Sequence, residues 1–191
     1  MTHVALRWQA LRRFDCQTIP TGRIRMDTYD SFFIDQTAAR QAVQLVLPMI
    51  EAAMQSREAG ASGFLYIVIM RPGSVPATDV FEDAILLEHA VGDRARWDAD
   101  YAAFARAKAR VSWRTGRDAH LVAAVAPHWL APGDTVLWGA VARDGLVVGV
   151  SGADPWYDEV FAGAIALCLQ GLAKKRMAGV QDHLFLPSTI G

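Results

Sequence analysis

The sequence has little net charge, little cysteine and no long apolar run, and each shortage closes off a class of function. The formal net charge is −1. A nucleic-acid-binding domain calls for a basic patch or a pI above about 9, so nucleic acid is not an expected partner. The basic runs are short, Arg12-Arg13 and Lys174-Lys175-Arg176. The second falls at the end of an expected helix, where cations complement the helix dipole. Only two cysteines occur, Cys16 and Cys168, and no Cys-x-x-Cys. Cys168 falls in an apolar helical pattern, which reads as a buried free thiol, and a reducing, cytoplasmic compartment fits best. No apolar run nears the ~18 residues of a membrane span. Arg7, Arg12 and Arg13 interrupt the N-terminus before a secretory apolar segment can build up. Neither a membrane span nor a signal peptide is expected.

What is present is enough apolar residue for one self-sufficient core. The chain has 191 residues, 52% hydrophobic and 20% charged, and a chain of this size buries roughly 70% of its unfolded surface. Residues 1–33 read as an N-terminal arm, with short strands at Val4–Trp8 and Arg23–Met26. Residues 34–179 read as the main domain and 180–191 as a tail. Ala38, Ala42, Leu45, Met49 and Ala53 recur at helical spacing, predicting a helix over 36–58, capped by Asp35 or Thr37 and kinked or broken at Pro48. Residues 64–70 are apolar, aromatic and β-branched, which predicts a buried strand. Residues 84–87 read as a partner strand or a short helix. A second helix is expected over 97–115, capped by Asp98 or Asp100 and stopped by Gly116. Residues 119–130 are ambiguous.

The clearest local signal lies near the C-terminus. Residues 135–143 read as a strand, Asp144-Gly145 as a two-residue turn whose central positions favour positive φ, and 146–151 as the return strand. Asp154 and Pro155 then open a helix as N-cap and first helical residue. Phe161, Ile165, Cys168 and Leu172 form its buried stripe, and Gly179 lies just beyond its end. Hairpin-linked strands imply an antiparallel sheet with helices packed on its faces, a single α/β (α+β) domain rather than a doubly wound nucleotide fold.

The stretch Asp144-Gly145-Leu146-Val147-Val148-Gly149-Val150-Ser151-Gly152, with Asp158-Glu159 after it, resembles the GlcG/HbpS-like proteins. That group includes the PduO C-terminal domain and a haem-degrading-domain set. Ala105-Arg106-Ala107-Lys108-Ala109-Arg110 with Gly116 is similar to the same group's A-x-x-KA-x-x-A helix. The resemblance covers about residues 34–176. Two departures, at Pro132-Gly133-Asp134 and around Arg71, mark a diverged member. The resemblance implies an antiparallel α/β domain, assembly into homo-oligomers and, in some members, haem binding or a link to haem breakdown or cobalamin-related pathways.

Six residues stand out as ligand-binding candidates. Gly149, Ser151 and Gly152 form a turn at a helix start, suited either to an anionic group such as a haem propionate or simply to close backbone packing. Lys108 either lies on a solvated face or pairs with Asp158 or Glu159. The acidic pair is explained most simply by the dipole of the helix it opens. His120, like His128, is a candidate axial ligand should haem be the cofactor. The histidines lack HxH and HxxxH spacing, so a zinc site is not expected. Gly-x-Ser-x-Gly and P-loop patterns are absent. Trp97, Trp113, Trp129, Trp138 and Trp156 line either a pocket or an interface, and Gly163 and Gly171 fall near one face of the last helix. Two functions follow. The first is a non-enzymatic protein that binds haem or another small anionic molecule as a homo-oligomer. The alternative is an enzyme of haem, cobalamin-related or other small-molecule metabolism.

Overall fold

Alternation in the apolar strands decides the layering. In the computed structural model, which describes residues 31–60, 62–180 and 185–186, β1 (Leu65–Met70) is buried along its whole length. Leu65, Ile67 and Ile69 enter one core cluster and Tyr66, Val68 and Met70 the other. A strand covered on both faces needs an unbroken apolar run, and β1 supplies it. The sheet is antiparallel throughout, in the order β2-β1-β4-β3, with β2 at Ile85–Val91, β3 at Ala140–Arg143 and β4 at Leu146–Ser151. The segment that left strand and helix open at 84–87 is thus a strand.

One face of the sheet is covered by α1 (Gln36–Ser56) and α4 (Pro155–Ala178), through Ala42, Val43, Val46 and Ile50 on the first and Phe161, Ile165 and Leu169 on the second. The other face is covered by α2 (Tyr101–Thr115), through Ala102, Ala105 and Ala109. The short α3 (Ala119–Val125) follows α2. This is the expected α+β domain. Among the described residues, no helix is long and apolar enough to cross a membrane. Cys16 and the two strands expected in the arm lie outside the described residues.

Several boundaries differ from expectation, each for a local reason. Helix α1 starts where Asp35 accepts a hydrogen bond from Ala38 N at 2.7 Å, but it runs unbroken through Pro48. Pro48 and Gln44 are both exposed, so the carbonyl that the proline leaves without a donor faces water. Helix α2 starts at Tyr101, not 97, because Asp100 caps it through Ala103 N at 2.9 Å. Strand β3 begins only at Ala140. Gly139 has φ +116, which ends the extended run, and Val136, Leu137 and Trp138 before it stay exposed. The hairpin turn is as expected, with φ +49 at Asp144 and +82 at Gly145. Asp154 stands at the N-cap of α4 but its side chain makes no cap hydrogen bond. Cys168 is a free cysteine and only partly buried.

Candidate functional site

Five of the six candidate residues converge on one place, where α2 crosses β4 and α4 begins. Gly149 faces α2: a Cβ there would stand 2.7 Å from the Ala105 carbonyl oxygen and 2.8 Å from Ala109 Cβ. The alanines of α2 and this glycine are two halves of one close helix–sheet approach. Gly152 has φ +139, and a Cβ there would overlap the Phe64 carbonyl and Leu65 backbone. Packing alone therefore requires glycine at both positions.

The close approach brings Lys108 down onto the end of β4. Its Nζ donates to Asp158 Oδ2 at 2.6 Å, to Val150 O at 3.1 Å and to Ser151 Oγ at 3.2 Å. Three acceptors match the three N–H bonds of an ammonium. Lys108 is 2% exposed, Ser151 5% and Asp158 1%, so Lys108 does not lie on a solvated face. Asp158 is more than a dipole partner: besides taking Lys108, its Oδ1 accepts from Ala153 N at 2.9 Å. The carboxylate thus occupies the start of α4 and fills from within the place an outside anion would take. Gly139 closes the site from above, since a Cβ there would stand 2.6 Å from Asp158 Cβ and 3.0 Å from Lys108 Nζ.

Burial dominates the titration of this pair. It pushes the Asp158 carboxyl up to about 6, against the opposing pull of Lys108 and the Ala153 and Gly152 N–H groups. It lowers Lys108 from the usual lysine range, against the opposing effect of Asp158. Both shifts favour neutral forms, whereas the 2.6 Å contact is that of an ion pair. The geometry decides for the charged pair at neutral pH, because Lys108 satisfies three acceptors at once.

His120 lies elsewhere, in the first turn of α3. Its Nδ1 donates to Glu159 Oε2 on α4 at 2.6 Å, and its ring packs against Trp138 at 5.5 Å between centroids. Among the described residues, Nε2 makes no hydrogen bond. Trp138, Val136, Leu137, Pro155 and Trp156 line a largely apolar depression of about 230 Å³ beside this pair. Sequence reasoning missed Asp118. It precedes α3 as an N-cap does, but its side chain instead accepts from Ala142 N of β3 at 2.8 Å. Ligand atoms of Asp118, His120 and Glu159 all lie within 4.8 Å of one another. The Asp118-x-His120 spacing was legible; its meeting with Glu159, about forty residues later, was not. His128 instead lines an open depression of about 480 Å³ with Arg114, Thr115 and Trp129.

No family model matches the chain, and no curated protein matches it. Two of the solved structures similar to it are as follows. One is the Klebsiella pneumoniae protein ORFY, described under the family model DUF336. It is 15% identical over 72% of this chain and 90% of its own length, with a TM-score of 0.45. The other is a PduOC–haem complex, 15% identical over 69% of this chain and 88% of its own length, with a TM-score of 0.41.

Proposed function

We propose that this chain is a small-molecule-binding protein that acts as a homo-oligomer, with haem as the ligand to test first and His120 as its axial ligand. The observation that carries the reading is the posture of His120. An axial histidine offers one ring nitrogen to iron while a carboxylate or carbonyl holds the other. Glu159 holds Nδ1, and among the described residues Nε2 has no hydrogen-bond partner. The neighbouring surface suits a flat apolar ligand: two tryptophans, a leucine, a valine and a proline. At about 230 Å³ the depression is smaller than the roughly 300–1,000 Å³ of an enclosing ligand pocket, which fits a site completed by a second copy.

Self-association has its own support. Trp156, Val160 and Leu167 are 57%, 53% and 58% exposed and share one face of α4 by their spacing. By spacing Gly163, itself buried, lies on that face and Gly171 near it, and among the described residues a Cβ at either would meet nothing within 4 Å. Among the described residues nothing requires those glycines, whereas a closely packed neighbour would.

Lys108, Gly149, Ser151, Gly152 and Asp158 serve the fold in this reading. The enzyme alternative is disfavoured because the buried Lys108–Ser151–Asp158 group has its polar atoms turned on one another, with no nucleophile offered to a substrate. Titration with haemin tests the proposal. A Soret shift saturating at micromolar haemin, and lost in His120→Ala, is expected. No shift, or a shift unchanged in His120→Ala, overturns it.

A further inference from the structure

We propose that Asp118, His120 and Glu159 form a binding site for one divalent transition-metal ion, of which zinc is the simplest probe. The proposal reuses His120 through its other ring nitrogen: a metal on Nδ1 displaces the bond to Glu159 and leaves the neutral ring's proton on Nε2, so at any one His120 it and the haem reading exclude one another.

Charge is the first argument. Asp158, Glu88, Glu82, Asp134 and Asp35 each pair with a lysine or arginine. Asp118 and Glu159 have no such bridge among the described residues, in common with exposed carboxylates such as Asp79 and Asp98; what sets them apart is that they are partly buried and gathered round one imidazole. Two carboxylates stand within 4.8 Å of each other and of a ring nitrogen, and among the described residues one imidazole is the only cation candidate bonded to them. That cluster attracts positive charge. Donor chemistry is the second argument. One imidazole and two carboxylates are ligands of zinc, and suit manganese and iron(II) as well.

The geometry is close to what an ion needs. Ligand atoms at about 2.1 Å from a tetrahedral ion stand about 3.4 Å apart. The 2.6 Å contact between His120 and Glu159 would open by less than an ångström, and the other separations, all within 4.8 Å, would close by at most about 1.4 Å. The side chains of His120 and Glu159 are 27% and 22% exposed, so an ion can enter and water can complete the coordination. Asp118 is held from behind by Ala142 N, which leaves its second oxygen for the metal. Bound there, the ion would tie the start of α3 to α4, beside the Trp138 wall of the depression.

The test is calorimetric titration of the full chain with zinc after dialysis against a chelator. One zinc per chain is expected, with a rise in thermal midpoint, because an ion bound only by the folded state stabilises it. Asp118→Asn and Glu159→Gln should each weaken binding roughly tenfold or more. Asparagine keeps an oxygen for Ala142 N, so circular dichroism should show Asp118→Asn folded. The same Asp118→Asn protein should keep any haemin shift, whereas His120→Ala should lose both responses, so the two readings can fail separately. No zinc binding, or binding unchanged in Asp118→Asn and Glu159→Gln, overturns the proposal.

Discussion

Lys108 and Asp158 carry the largest energetic stakes held by single residues. Both are almost fully buried, and among the described residues each is the other's only charged partner. A buried pair adds little net stability over an apolar replacement of both partners, but removing one partner strands the other charge. Lys108→Met keeps most of the volume and removes the ammonium. It is expected to lower the stability to urea at neutral pH by about 3–5 kcal/mol. A loss well under about 1 kcal/mol would mean that water reaches Asp158 or that its carboxyl, already raised by burial, takes up a proton once the ammonium is gone. The titration of Asp158 makes a separate prediction. Its folded value, about 6, lies above the 3.8 of an unperturbed carboxyl, so the folded chain binds this proton more tightly than the unfolded chain does. The contribution is therefore fully present below about 3.8 and is lost as pH rises through about 6. The stability of wild type relative to Asp158→Asn should fall as pH is raised from about 4 to about 7. A relative stability that rises instead would show that Lys108 outweighs burial.

At the scale of elements, legibility in the sequence followed how local each cause was. Helix α4 and the Asp144-Gly145 turn were readable because proline, glycine and aspartate act within a few residues of themselves. The fully buried β1 was readable because burial on both faces leaves an unbroken apolar run. The long strand expected from 135 failed because Gly139 must pass close to Asp158 and Lys108, a contact no local pattern announces. Of the kink or break expected at Pro48, the break did not occur, because the proline falls on the solvent side of α1, which depends on where α4 and the sheet lie. In the candidate site, Gly149, Ser151, Gly152, Lys108 and Asp158 were singled out by a motif, and they do meet. The motif did not say that Asp158 itself would take up the helix start. Asp118 and Glu159 meet His120 only through the packing of α3 beside α4.

At the scale of the whole molecule, α4 is the odd element. It is apolar around much of its circumference, with Phe161, Ile165 and Leu169 inward and Trp156, Val160 and Leu167 outward. A helix of that kind is normally covered on both sides, and here one side faces solvent. Trp156 belongs both to this outer face and to the depression beside His120, so a second copy packed along α4 would also close that depression. Self-association and ligand binding then become linked: whatever separates the copies also opens the site. Leu167→Glu separates these effects, because it puts a charge in the middle of the outer stripe, eleven residues from Trp156. The substitution leaves the inward core face untouched, so the thermal midpoint of the isolated chain should change little. By light scattering, wild type should run as a multiple of the chain mass and Leu167→Glu as a monomer. If haemin binds, its affinity should drop in the variant although His120, Glu159 and Trp138 are intact. A wild type that is monomeric at tens of micromolar would remove the stripe from the account, and the depression would then have to serve its ligand open on one side.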